Sequence, residues 1–94
     1  MNQPKHIVFC LCAQLPLFCI ASALEVFRHA NRFSGKTVYR WTFLCENNEP
    51  IQDSNGLWLH PGAKIEDVNL VDAAFVVAGF NPLKQPSTQL KQFL

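Results

Sequence analysis

Charge of one sign is what this sequence most lacks. Eight lysines and arginines stand against seven acids in 94 residues, with no run of either kind. The chain therefore carries no electrostatic footprint for nucleic acid or an anionic membrane. Glycine is scarce as well: the four present never take the Gly-x-Gly-x-x-Gly spacing that lets backbone approach a pyrophosphate, which disfavours nucleotide binding. A Gly-x-Ser-x-Gly nucleophile elbow, or its cysteine equivalent between a strand and a helix, is absent too. There is no internal repeat, low-complexity tract or linker. At 49% hydrophobic residues the chain is too apolar for disorder, and it is too short for two ordinary domains. It reads as one small unit with a small core.

Cys10, Cys12, Cys19 and Cys45 sit inside apolar runs, without the loop-rich spacing of a disulfide scaffold or a zinc ribbon. They read as reduced, buried and cytosolic. Cys10 and Cys12 are two apart and share a face if they lie on a strand, whereas a metal pair normally uses a Cys-x-x-Cys turn. No metal and no cofactor are expected.

The first third, HIVFCLCAQLPLFCIASALEVFRHANRFSG, has two readings. Lys5, the apolar stretch that follows and Ala21-Ser22-Ala23 imitate an export signal with a cleavage site. Gln14 and Pro16 split that stretch, however, and a helical pattern runs on through Leu24, Val26, Phe27 and Ala30. The same interruption argues against a membrane-spanning helix, which needs about 20 apolar residues. The preferred reading is a strand from about His6 to Cys12, buried on both faces, and a helix from Pro16 to about Phe33 closed by Ser34-Gly35. The first half of that helix is apolar nearly all round, so it is expected to be buried on more than one side. Phe18, Ile20, Leu24 and Phe27 are the candidate dimer-interface residues, since so few elements cannot cover them all.

Val38 to Cys45 reads as a second strand, and strand, helix and strand in that order make the crossover unit of a parallel sheet. ENNEP is a turn by composition. IQDSNGLWLHP holds a hairpin around Ser54-Asn55-Gly56, expected as an appendage or edge. IEDV is long enough for one helical turn, AAFVVAG is a further buried strand, and a helix begins at Ser87 or Thr88.

His6, His29 and His60 lie far apart, with no acid or nucleophile beside them, and read as surface or strand-edge residues. Cys19 reads as a small core hydrophobe. Glu25 needs a partner, such as Arg28 or Arg32 of its own helix. Trp41 and Trp58 could cage a cation, although core or hairpin packing is the plainer role. In open parallel sheets ligands bind beyond the carboxyl ends of the strands. That rule makes Gln14, Leu15, Gly79, Phe80 and Asn81 the candidate ligand-binding residues.

Three blocks, SALEVFRHANRFSGKTVYRW, SNGLWLHPGAKIEDV and AAFVVAG, carry a family resemblance. The chain resembles the N-terminal portion of the ThiJ/PfpI superfamily, similar to class I glutamine amidotransferases, and most resembles the GlxA-type branch of AraC-like transcriptional regulators. The resemblance implies an α/β fold, a flavodoxin-like parallel sheet with flanking helices, of which the N-terminal half is expected here together with a small β-hairpin. It implies a domain that senses a small amine or amino acid and dimerises, with DNA bound through C-terminal helix-turn-helix units. Residues 1–94 are then a partial sensory domain without the DNA-binding domain, a truncated piece of such a cytoplasmic regulator. Enzymes of the superfamily carry an acidic residue early in the first helix, where this chain has Leu17, Phe18 and Cys19, and their nucleophile elbow would fall beyond Leu94. No catalytic residue is therefore expected. The alternatives are a piece of a ThiJ/PfpI-type hydrolase or glyoxalase-like enzyme, and an export signal followed by a small secreted domain.

Overall fold

A computed structural model of the chain describes residues 3–79. Strand β1 (Lys5–Leu11) leads into helix α1 (Leu17–Ser34), which returns to strand β2 (Tyr39–Cys45). A short 3-10 turn (Glu46–Asn48), the two-residue strands β3 (Ile51–Gln52) and β4 (Trp58–Leu59), a second 3-10 turn (Ile65–Asp67) and strand β5 (Ala73–Val77) follow. The sheet is parallel in the order β2-β1-β5, with β3 and β4 paired antiparallel on their own.

The uniform apolarity of IVFCLC follows from β1 being the central strand. Every residue from His6 to Cys12 is buried. Alternation sorts them: Ile7, Phe9 and Leu11 pack with Ile20, Leu24 and Phe27 of α1, while Val8, Cys10 and Cys12 pack with Leu44, Ile65 and Val71 on the other face. The two cysteines thus share a face, as their spacing requires. Register runs from Lys5 opposite Tyr39 to Leu11 opposite Cys45, and from Ile7 opposite Ala73 to Leu11 opposite Val77.

Helix α1 has the expected punctuation. Pro16 is its extended N-cap, and Gly35, in the left-handed region at φ 70°, is its C-cap with its N–H on the Arg32 carbonyl. Asn31 clamps the return to the sheet: its Oδ1 accepts the N–H groups of Val38 (2.8 Å) and Tyr39 (2.9 Å), and its Nδ2 donates to the Tyr39 carbonyl at 2.9 Å.

Five expectations need correction. The first half of α1 is buried on one side only: Ile20 is the one fully buried residue of the helix, and Phe18, Cys19, Ala21 and Ser22 face solvent. One layer of helix on one sheet face can cover one stripe and no more. Cys19 is accordingly exposed. Strand β5 is largely exposed, because it is an edge of the described sheet; Phe75 stacks on Phe9 yet stays 43% accessible. His6 is buried, its Nε2 2.7 Å from Thr42 Oγ1 and its N–H on Asp72 Oδ2 at 2.7 Å, because it sits on the central strand.

The hairpin also differs from an appendage. It docks on the loop after β1, with Gln14 N–H donating to the Gln52 carbonyl (2.8 Å) and Ser54 N–H to the Leu15 carbonyl (2.9 Å). The expected helix at Ser87 or Thr88 lies outside the described residues.

Candidate functional site

The carboxyl ends of the three parallel strands meet around the loop from Cys12 to Pro16, where the sheet order reverses direction and a crevice is expected. Every turn of this loop is held from a different element. Cys12 N–H donates to the Val77 carbonyl of β5 at 2.9 Å, Ala13 N–H to Glu46 Oε1 at 2.9 Å, and Gln14 N–H to the hairpin. Gln14 adopts the left-handed region at φ 68°, a conformation that costs a non-glycine residue about 1 kcal/mol and here persists because three elements fix it.

Gly79 passes close against this loop. A Cβ built on it would lie 2.2 Å from the Gln14 carbonyl oxygen, so only glycine lets the chain leaving β5 pass this loop. Of the candidate ligand-binding residues, Gln14, Leu15 and Gly79 are brought together here. Leu15 is fully buried, so its side chain serves the core, and Gln14 alone of the three presents a side chain to solvent. Phe80 and Asn81 lie outside the described residues.

Glu46 is the site residue that sequence reasoning missed. It follows β2 directly and is buried with its carboxylate on the Ala13 N–H. Composition made ENNEP a turn and hid it. The parallel register could have found it: Cys45 pairs with Leu11, so the next residue reaches the level of Cys12.

The buried thiols beside it are chemically quiet. Burial, reinforced by the neighbouring Cys12, pushes the Cys10 thiol up to about 11. Burial again, with Cys12 and Glu46 adding to it, pushes Cys45 up to about 11. Neutral thiols are poor nucleophiles. Unfolded thiols ionise near 9 and the folded ones near 11, so their contribution to stability is complete below pH 9 and is lost as pH rises to 11. The thermal midpoint is expected to fall across that window, and a Cys10→Ala, Cys45→Ala double variant to show a flatter fall. A variant with the same slope as the parent would contradict the assignment.

The four candidate interface residues separate. Phe27 is half-buried against Phe9 and Tyr39, with ring centroids 6.1 and 4.9 Å away. Ile20 and Leu24 line an apolar groove of about 230 Å³ with Leu17, Ala21, Leu59 and His60. Phe18 alone points outward. Glu25 pairs with Arg28 at 2.6 Å on the exposed side, as expected from their spacing. Trp41 packs against the core, and Trp58 is exposed on the hairpin. Among the described residues no group of three His, Cys, Asp or Glu side chains could hold a metal ion, and no helix is long and apolar enough to cross a membrane.

No protein-family model matches the chain. The HTH-type transcriptional regulator CdhR of Pseudomonas aeruginosa is 39% identical over 83 residues, which are 85% of this chain and 24% of the regulator. The HTH-type transcriptional regulator GbdR of the same species is 36% identical over 78 residues, 83% of this chain and 21% of the regulator. The chain thus spans about a quarter or less of the curated relatives it matches. Among solved structures, a transcriptional regulator protein from Vibrio parahaemolyticus superposes with a TM-score of 0.71 at 18% identity, over 86% of this chain and 42% of that one. Drosophila melanogaster DJ-1beta superposes with a TM-score of 0.66 at 17% identity, over 83% of this chain and 40% of that one. At such identities the two structures speak for the fold, a flavodoxin-like α/β sheet of the ThiJ/PfpI kind.

Proposed function

Because the chain is homologous to part of the HTH-type transcriptional regulators and has the ThiJ/PfpI-like fold, we propose that it is the first portion of the sensory domain of a GlxA-type, AraC-family regulator. Its role in this reading is non-catalytic: to take up a small amine or amino acid and to dimerise, in the cytoplasm. DNA is bound through helix-turn-helix units outside residues 1–94. The observation that carries the reading is the identity to two regulators over more than four-fifths of the chain.

The site supports a sensor over an enzyme. The first turn of α1 holds no acid, the buried thiols of Cys10 and Cys45 stay protonated at neutral pH, and the Glu46 carboxylate is engaged with the Ala13 N–H. A catalytic carboxylate has to be within reach of a nucleophile and of substrate. Here the carboxylate fixes the loop that carries Gln14, and Gln14 offers an amide to a bound effector. Reading the coding DNA downstream of Leu94 tests the proposal. Helix-turn-helix coding is the expected result, and an elbow cysteine with no such region would instead establish the hydrolase or glyoxalase-like alternative.

A further inference from the structure

The tip of the hairpin carries a chemically reactive pair that the sensing site does not use. Asn55-Gly56 is the one asparagine-glycine step in the sequence, and every other asparagine is followed by a residue with a side chain. An asparagine amide is open to attack by the peptide nitrogen of the next residue, and a Cβ on that residue is the chief obstacle. Gly56 has none, and its φ of 89° suits glycine alone. A Cβ built there would meet only Gln52 Nε2, 3.8 Å away, so a ring closing at this nitrogen has room. Asn55 and Gly56 are both exposed.

Against this reactivity stands Asp53. Its carboxylate accepts the N–H groups of Asn55 and Leu57, both at 2.8 Å, and its carbonyl accepts the Gly56 N–H at 3.2 Å. The Gly56 nitrogen has to give up that proton before it can attack, so the closed turn withholds the nucleophile. Asn55 Nδ2, the group that would leave, donates to Asp53 Oδ2 across 3.4 Å. Although burial opposes it, the hydrogen bonds from Leu57, Asn55 and Gly56 hold the Asp53 carboxyl below its ordinary range, and it is ionised at neutral pH.

We propose that Asn55 is a site of spontaneous deamidation, that Asp53 governs its rate by keeping the turn closed, and that the reaction releases the loop after β1. The Gly56 nitrogen loses its proton to hydroxide and bonds to Asn55 Cγ. The bond from Cγ to Nδ2 breaks, and the amide nitrogen leaves as ammonia, taking up protons from water. Water then opens the resulting succinimide at either carbonyl, leaving aspartate or isoaspartate. One water is consumed and one ammonia released, with no oxidant or reductant. Either product sets a carboxylate where a donor had faced ionised Asp53, and like charges so placed repel. Isoaspartate also adds a backbone atom to the turn, which moves the Gly56 N–H off the Asp53 carbonyl. The hairpin holds the loop through Gln14 N–H on the Gln52 carbonyl and Ser54 N–H on the Leu15 carbonyl. A loosened turn weakens both bonds, whatever that loop binds.

Peptide mapping by mass spectrometry tests this on the 94-residue chain aged in mildly alkaline buffer at body temperature. Asn55 is expected to convert at least tenfold faster than any other asparagine, with aspartate and isoaspartate in its place. The folded chain is expected to convert it at least fivefold more slowly than the same chain unfolded in urea, and Asp53→Ala to remove most of that protection. Asn55→Asp, the product made by mutation, is expected to speed amide exchange at Gln14 and Ser54 at least tenfold. Asn55→Ser keeps the main-chain N–H for Asp53 and has no amide to lose, so its exchange is expected to match the parent's. Asn55 left intact while other asparagines convert would overturn the site. Equal rates in the folded and unfolded chains would overturn the guarding role of Asp53. Unchanged exchange in Asn55→Asp would overturn the release of the loop.

Discussion

Phe9→Ala is expected to remove about 3–5 kcal/mol of folding stability, as for a fully buried aromatic cut back to a methyl. Phe9 has no solvent exposure and stands at the middle of the central strand. Its ring stacks on Phe43 and Phe75, each with centroids 5.7 Å away, and meets the edge of Phe27 at 6.1 Å. One side chain therefore ties β1 to both neighbouring strands and to α1. A domain of this size has on the order of 5 kcal/mol in hand, so the variant is expected to be largely unfolded at room temperature. Urea unfolding followed by near-ultraviolet circular dichroism measures this, with Phe9→Leu as the volume-sparing control that retains most of the signal. A midpoint for Phe9→Ala within error of the parent would refute the assignment of Phe9 as the keystone of the core.

Asp53→Ala is expected to lower the thermal midpoint by several degrees and to loosen the candidate site from a distance. The buried Asp53 carboxylate accepts the N–H groups of Asn55 and Leu57, both at 2.8 Å, so it holds the turn of the hairpin closed. Burial alone would raise its pKa, but the hydrogen bonds from Leu57, Asn55 and Gly56 outweigh that and hold the carboxyl below its ordinary range. With the folded value below the unfolded one, this stabilisation is present above the ordinary aspartate pKa and is lost as pH falls through the folded value. Asp53→Asn keeps one acceptor oxygen, so it is expected to lose less stability than Asp53→Ala and to flatten the acid limb of the stability curve. Because the hairpin holds Gln14 and Leu15 by main-chain hydrogen bonds, Asp53→Ala should also speed amide exchange at Gln14 and Ser54. Unchanged exchange at those two positions would separate the hairpin from the loop.

Local signals were enough to place most elements. IVFCLC read best as a strand covered on both faces, because an uninterrupted apolar run has no side to offer water. Pro16 and Gly35 bounded α1, because the two residues have opposite and specific backbone preferences. Ser54-Asn55-Gly56 fixed the hairpin turn in the same way. The errors cluster where burial depends on neighbours remote in sequence. AAFVVAG has the composition of a buried strand and is an edge of the sheet among the described residues, and Cys19 has apolar neighbours in the chain but solvent on its face of the helix. Glu46 was invisible as a site residue, because only the pairing of β2 with β1 carries it to the Ala13 N–H.

What the sequence by itself determined is the kind of elements and their order, since those depend on periodicity, turn residues and fixed spacings within a few positions. Tertiary structure decided which side of α1 is core and which faces solvent. It also decided that only glycine at position 79 lets the chain leaving β5 pass Gln14, and that an acid just after β2 organises the loop after β1. Those outcomes depend on long-range registration of parallel strands, where a residue's environment is set by chain far from it and no local pattern records the partner.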